Sequence, residues 1–176
     1  TGTAQKTNKA TSATTSKKTS GTTDTSSNPL SVKGLWLTIK NWPSELAYRG
    51  GTENAQGVAQ ATWNTDSNVI LVLERLLPAK SGATAIQSRT AEFESISASA
   101  IEIKQDSALT KKLSYPAYRL SYKTDGASGT LQSQDVYVQT DNWDFRVHVV
   151  VPTETAQSAS KTIENWFQGL DFQETN

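Results

Sequence analysis

Residues 115–151 read YPAYRLSYKTDGASGTLQSQDVYVQTDNWDFRVHVVV, and this stretch decides the fold. Tyr118, Leu120 and Tyr122 alternate with Arg119, Ser121 and Lys123. Phe145, Val147, Val149 and Val151 alternate in the same way with Arg146, His148 and Val150. A period of two marks strands with one face in a core. Asp125-Gly126-Ala127-Ser128-Gly129 is turn chemistry, and Asp141-Asn142 suits a tight connection. Three successive antiparallel strands are therefore predicted, over 115–124, 130–140 and 143–151.

A helix follows them. Ala156, Ala159, Ile163, Trp166, Phe167 and Leu170 recur at spacings of three and four, a continuous apolar stripe that folds back over the sheet. Thr153 or Thr155 is placed to cap its start, and Gly169 to stop it.

Upstream, Leu35, Leu37 and Ile39 alternate with Trp36, Thr38 and Lys40, and Trp42-Pro43 ends that strand. Arg49-Gly50-Gly51 reads as a turn. Residues 57–63 and 68–76 read as a hairpin across Asn64-Thr65-Asp66-Ser67. Val69-Ile70-Leu71-Val72-Leu73 is apolar on both faces, which predicts a central strand covered from both sides. Residues 83–96 predict a helix with Ile86, Thr90 and Phe93 on one face and Ser81 or Thr84 as its cap. Ile101 and Ile103 mark a short strand, and 106–113 a connection. The fold class is α+β, an antiparallel sheet with helices packed on its faces.

The first 28 residues differ in kind. They hold ten Thr, five Ser and four Lys, with no Val, Ile, Leu, Phe, Tyr or Trp. Such a segment cannot bury enough apolar surface to offset backbone ordering. We read 1–28 as a disordered, solvated tether behind a membrane anchor, and 29–176 as one globular domain. The tether carries a charge of +3 and the domain, with 13 basic and 16 acidic residues, −3. A mildly acidic globule has no footprint for nucleic acid. With no Cys there is no disulfide, thiolate metal site or thiol nucleophile. No apolar run reaches the roughly 18–20 residues of a membrane span.

Tyr115-Pro116-Ala117-Tyr118-Arg119-Leu120-Ser121-Tyr122, Gln134-Asp135-Val136-Tyr137-Val138, the run from Phe145 to Pro152, and Ile163-Glu164-Asn165-Trp166-Phe167 together resemble the PsbP-like family. The resemblance implies the α/β/α sandwich of the photosystem II extrinsic protein PsbP, of a Ran-binding nuclear import factor and of many bacterial lipoproteins. The order Trp42-Pro43 departs from the family's usual opening. The family has no invariant catalytic signature, so the resemblance implies a fold and no reaction.

Chemistry-bearing residues are few. His148 is the single histidine, which excludes a His-based metal cluster; a Ser-His-Asp arrangement would need it beside a serine and an acid such as Asp135 or Asp141, and no Gly-x-Ser-x-Gly elbow nominates the serine. Asp141-Asn142-Trp143-Asp144 lacks the spacing of a calcium loop. Glu74, at the end of the predicted central strand, requires a partner such as Arg75, Arg119 or Arg146. Of five Trp, Trp166 belongs to the helix stripe, while Trp36, Trp42, Trp63 and Trp143 sit at strand faces or ends. Aromatics exposed near loop tips mark contact surfaces.

The resulting expectation is a non-enzymatic, extracytoplasmic binding or adaptor domain. It would be monomeric, tethered to a bacterial cell membrane in the manner of a lipoprotein, and without cofactor or metal. It would meet an unknown protein or small ligand of the cell envelope through Trp42, Trp63, Trp143, Arg146 and His148. The alternative is a hydrolase or other enzyme working from the sheet around Glu74, Arg146 and His148.

Overall fold

Phe145, Val147, Val149 and Val151 are all at most 1% exposed, and the strand that carries them is the middle of the molecule. The computed structural model describes residues 30–31, 35, 37–39, 42–53, 59–65, 68–78 and 82–174. The expected tether over 1–28, Trp36 and Ser81 lie outside the described residues. In chain order the elements are β1 (Leu30–Ser31), β2 (Leu37–Ile39), β3 (Ala47–Glu53), β4 (Ala59–Asn64), β5 (Ile70–Leu76), α1 (Gly82–Ser95), β6 (Ser99–Gln105), α2 (Ser107–Leu113), β7 (Ala117–Gly126), β8 (Gly129–Gln139), β9 (Asp144–Pro152), α3 (Thr153–Gly169) and β10 (Phe172–Glu174).

Seven strands form one antiparallel sheet in the order β3-β4-β5-β9-β8-β7-β6. A small second sheet, β1-β2-β10, brings the chain end back beside β2. The three strands predicted over 115–151 are β7, β8 and β9. Their ladders run unbroken from Ala117 opposite Val138 to Gly126 opposite Gly129, and from Leu131 opposite Pro152 to Gln139 opposite Asp144. Gly129 turns between β7 and β8 at φ 124°, a conformation open to glycine and costly for other residues.

One face of this sheet, here the front, packs against α3, α2 and the small sheet. Ile163, Trp166 and Phe167 lie on the buried side of α3, and the Trp166 Nε1–H donates to Glu45 at 2.7 Å. The back face packs against α1 through Phe93, which is 0% exposed and sits 4.4 Å from Tyr122 between ring centroids. Helices thus lie on both faces, as the alternating strands and the α3 stripe require.

Several local expectations need correction. Arg49-Gly50-Gly51 is not a turn but part of β3, bulged between Tyr48 and Gly50, with Gly50 at φ 138°. A Cβ on Gly51 would lie 2.8 Å from the Gln60 carbonyl oxygen, so the glycine pair admits a close neighbour instead of reversing the chain. The centre of the sheet is β9, not β5. On β5 only Leu71, Leu73 and Arg75 are buried, while Ile70 on the back is 42% exposed, because α1 shelters the β6–β8 half of that face. The 106–113 connection contains helix α2, capped by Asp106, whose carboxylate accepts from the Leu109 amide at 2.9 Å.

At the start of α3 neither threonine caps. Pro152 occupies that position, Thr153 Oγ1 donates to the Thr130 carbonyl, and Thr155 Oγ1 donates to the Pro152 carbonyl. Gly169 ends the helix as its last residue without turning left-handed. Thr84 lies inside α1, not at its cap. The other edge strand, β6, is also bulged, between Ser99 and Glu102, with Ala100 at φ 50°.

The front core stands on α3. Phe167→Ala is expected to cost about 3–5 kcal/mol in urea unfolding, and a loss below about 1 kcal/mol would show that α3 does not hold the sheet.

Candidate functional site

The back face of β9 carries Asp144, Arg146, His148 and Val150, and the cross-strand register decides what they meet. Glu74 on β5 lies opposite Arg146, and Asp135 on β8 lies opposite His148. Arg146 Nε donates to Asp135 at 2.7 Å, Nη1 to Glu74 at 3.2 Å and to Glu92 of α1 at 3.4 Å, and Nη2 to the Tyr122 hydroxyl at 2.9 Å. His148 Nδ1 lies 2.6 Å from the other Asp135 oxygen and 3.3 Å from Arg146 Nη2. The ionised Asp135 carboxylate can only accept, so at 2.6 Å it fixes Nδ1 as the protonated nitrogen, and the Arg146 approach is then a contact between two donors and not a hydrogen bond. Tyr122 stacks on the imidazole at 6.3 Å, 12° from parallel.

Asp135 is 1% exposed. Burial alone would push its carboxyl up, but the hydrogen bond and charge of His148, with Arg146, hold it below the usual carboxylate range. Burial likewise opposes the Arg146 charge, and Asp135 and Glu74 more than offset it. Beside this group, the Tyr137 hydroxyl donates to Asp144 at 2.6 Å; burial and that carboxylate push the phenol up. Arg89 of α1 pairs with Glu92 and lies over the Tyr137 ring.

The expected partner of Glu74 is thus Arg146, and Glu74, Arg146 and His148 do come together. Apart from His148 Nε2, which has no partner among the described residues, their polar atoms are engaged with one another and with neighbouring strands and α1, an arrangement that holds strands and helix in place. Asp135 and Tyr122 complete the group; Asp135 is one of the two acids considered from sequence beside His148, and Tyr122 is not considered there for a site.

The three tryptophans do not share a surface. Trp63 is 2% exposed, packed 4.8 Å from Trp42. Trp42 is half-buried, and its Nε1 has no hydrogen-bond partner among the described residues. Trp143 is half-buried under the Arg75 guanidinium, 4.3 Å from its ring centre. The register Trp63–Leu71–Val149 places Trp63 and Trp143 about six residues apart along β9, roughly 20 Å. Joint contact by Trp42, Trp63 and Trp143 is corrected accordingly: Trp42 and Trp63 pack together at one end of the front core and Trp143 lies at the other.

What stays open is on the front face, where α3 leaves the β6–β7–β8 end uncovered. A cleft of about 290 Å3 is lined there by Glu102, Lys104, Ser121, Gln132 and Gln134, with Phe167 and Glu164 as its α3 wall. Arg119 closes one end. It donates to Asp106 at 2.7 Å and to Glu164 at 3.2 and 3.4 Å, and its guanidinium lies 4.6 Å from the Phe167 ring centre. Partial burial would push Asp106 up, but the Leu109 amide and Arg119 hold it down. Ser121 stands directly opposite Gln134, and Lys123 opposite Gln132. Ser121, Gln132 and Gln134 are half-buried, yet among the described residues their side chains have no hydrogen-bond partner. A second depression, about 520 Å3 between α3 and Val69, is lined by Ala159, Ile163, Trp166 and hydroxyls, and its carboxylate, Glu45, already accepts from Trp166.

A signal for the cleft was present in the sequence. The front face of β8 reads Gln132, Gln134, Val136, Val138, polar where a fully covered strand would be apolar.

No family model matches the sequence, and no curated protein matches it significantly. Solved structures do. Cyanobacterial PsbP (CyanoP) from Synechocystis sp. PCC 6803 superposes with a TM-score of 0.59 at 10% identity, over 89% of this chain and 97% of that one. A Bacteroides thetaiotaomicron protein gives 0.49 at 14%, over 86% of this chain and 49% of that one. Protein of unknown function PA94 from Pseudomonas aeruginosa gives 0.47 at 9%, over 81% and 94%. The CyanoP superposition shows a PsbP-like fold for this chain, as the resemblance implied, and at that identity it speaks of the fold alone.

The back-face cluster has a pH signature. Asp135 titrates lower folded than unfolded, so its contribution is fully present above the unfolded value near ~3.9 and is lost as pH falls through the lower folded one. Asp135→Asn is expected to cost about 3–5 kcal/mol at pH 7, and much less at a pH near ~2. Equal costs by urea unfolding at both pH values would place the charge of Asp135 outside the stability of the fold.

Proposed function

We propose that this PsbP-like domain is a non-enzymatic binding or adaptor module on the outer side of a bacterial cell membrane, monomeric and held there by its Thr/Ser/Lys-rich N-terminal segment. The cleft between α3 and the β6–β8 end is its contact site. One observation carries the reading: the half-buried Ser121, Gln132 and Gln134 face an opening and have no protein hydrogen-bond partner among the described residues, whereas Glu74, Asp135, Arg146 and Nδ1 of His148 on the back face are engaged with one another. Half-buried polar side chains that no protein group engages are hydrated, and a ligand with matching donors and acceptors can replace that water. The composition of 1–28 supports the tethered placement.

A second reading, an enzyme using Glu74, Arg146 and His148, is favoured by one contact, the 2.6 Å approach of His148 Nδ1 to Asp135. A carboxylate-oriented imidazole is half of a general-base system. Among the described residues no three of His, Cys, Asp and Glu are grouped so as to hold a metal ion.

The two readings separate experimentally. Labelled full chain is incubated with cell envelopes of the producing organism, and retention is compared between the wild type, Gln134→Arg, which fills the cleft, and His148→Ala. Retention is expected to fall at least about tenfold in Gln134→Arg, a change of about 1.4 kcal/mol, and to persist in His148→Ala. Retention unaffected by Gln134→Arg removes the cleft as the contact site. Hydrolysis of p-nitrophenyl acetate lost in His148→Ala and kept in Gln134→Arg would instead establish the enzyme reading.

A further inference from the structure

Resting on the binding-module reading, we propose that the front-face cleft takes a neutral saccharide, one pyranose ring at a time. The floor of the cleft presents two side-chain amides, Gln132 and Gln134, on one strand and the Ser121 hydroxyl on the next. Each amide both donates and accepts, as each sugar hydroxyl does. The amides stand two residues apart along β8, roughly 7 Å, comparable to the span of a six-membered ring with its hydroxyls. Glu102 and Lys104 at the rim add an acceptor and a donor.

Charge and size narrow the ligand further. The lining holds Lys104 and Arg119 against Glu102, Asp106 and Glu164 on the same side of the sheet, and Arg119 is already paired with two of those acids. Lys104 has no ion-pair partner among the described residues, but with two bases against three acids these side chains carry a net negative charge, which disfavours a phosphate or carboxylate. The volume of about 290 Å3 equals roughly ten water molecules, at the lower end of small-molecule sites. The lining is too polar for an apolar ligand.

An extended peptide is the other candidate of matching polarity. It would add to the free edge of β6, which borders the cleft, but the bulge between Ser99 and Glu102 breaks the ladder such a strand must continue. Arg119, locked to Asp106 and Glu164 and stacked on Phe167, is a fixed end wall and not a ligand contact.

The test uses 15N-labelled full chain and follows the side-chain amide resonances of Gln132 and Gln134. The probes are maltose, N,N′-diacetylchitobiose, tetra-alanine and inorganic phosphate. At least one disaccharide is expected to shift those resonances saturably with a Kd of about 1 mM or tighter, while tetra-alanine and phosphate leave them in place. Gln132→Ala/Gln134→Ala, with its backbone spectrum otherwise unchanged, is expected to weaken that binding at least about tenfold. Should the double variant not fold, Ser121→Ala gives the same comparison. Shifts caused by tetra-alanine or phosphate and by neither disaccharide overturn the saccharide assignment and leave the binding-module reading standing. Resonances unmoved by all four probes overturn the saccharide assignment, and the envelope retention of Gln134→Arg then decides the broader reading separately.

Discussion

A guanidinium on the central strand constrains most of the structure around it. Arg146 sits in the middle of a seven-stranded sheet, and a charge there is tolerable only with its donors matched by well-placed acceptors. Those acceptors come from β5, β7, β8 and α1, in Glu74, Tyr122, Asp135 and Glu92. A slip of any of these strands by one residue would turn its acceptor to the opposite face and leave the charge unmet. The apolar front of β9 supplies the burial that holds the sheet to α3. The polar back supplies the discrimination between this register and its neighbours.

Much of this was legible in the residues, and the exceptions share a cause. The alternation over 115–151 and the α3 stripe are local patterns, and they became β7, β8, β9 and α3 because each needs only its own neighbours to be read. Gly50 and Gly51 misled because glycine marks both turns and close strand approaches, and only the position of Gln60 distinguishes them. The apolar run 69–73 promised two covered faces, yet α1 lies over the other half of the sheet and Ile70 meets solvent. Pro152 starts α3 because Thr153 reaches back to Thr130 on β8, a contact that spans 23 residues of chain. The tryptophans were countable but their separation was not, since it depends on strand order. Arg146 and His148 do lie together, while their ties to Tyr122 and to Asp135 instead of Asp141 became visible only through the register.

The two polar regions of the sheet differ in how far their hydrogen bonds are met. On the back, Arg146, Asp135, Glu74 and Nδ1 of His148 close on one another, so the cluster serves cohesion. On the front, amides and a hydroxyl without a protein partner among the described residues face an opening, while the adjacent Asp106–Arg119–Glu164 group is paired and fixes the wall beside them. Function is more economically sought where polar groups lack partners than where they have many. The same sheet thus separates a rigid interior on one side from a receptive surface on the other.

The bulges in β3 and β6 stand at the two outer margins of the seven-stranded sheet. A regular margin is a template on which another copy can lay its own backbone and continue the ladder without limit. Here each margin kinks, so an approaching neighbour would satisfy a few amides and strand the rest. Many such molecules can therefore be crowded side by side without stacking into fibres.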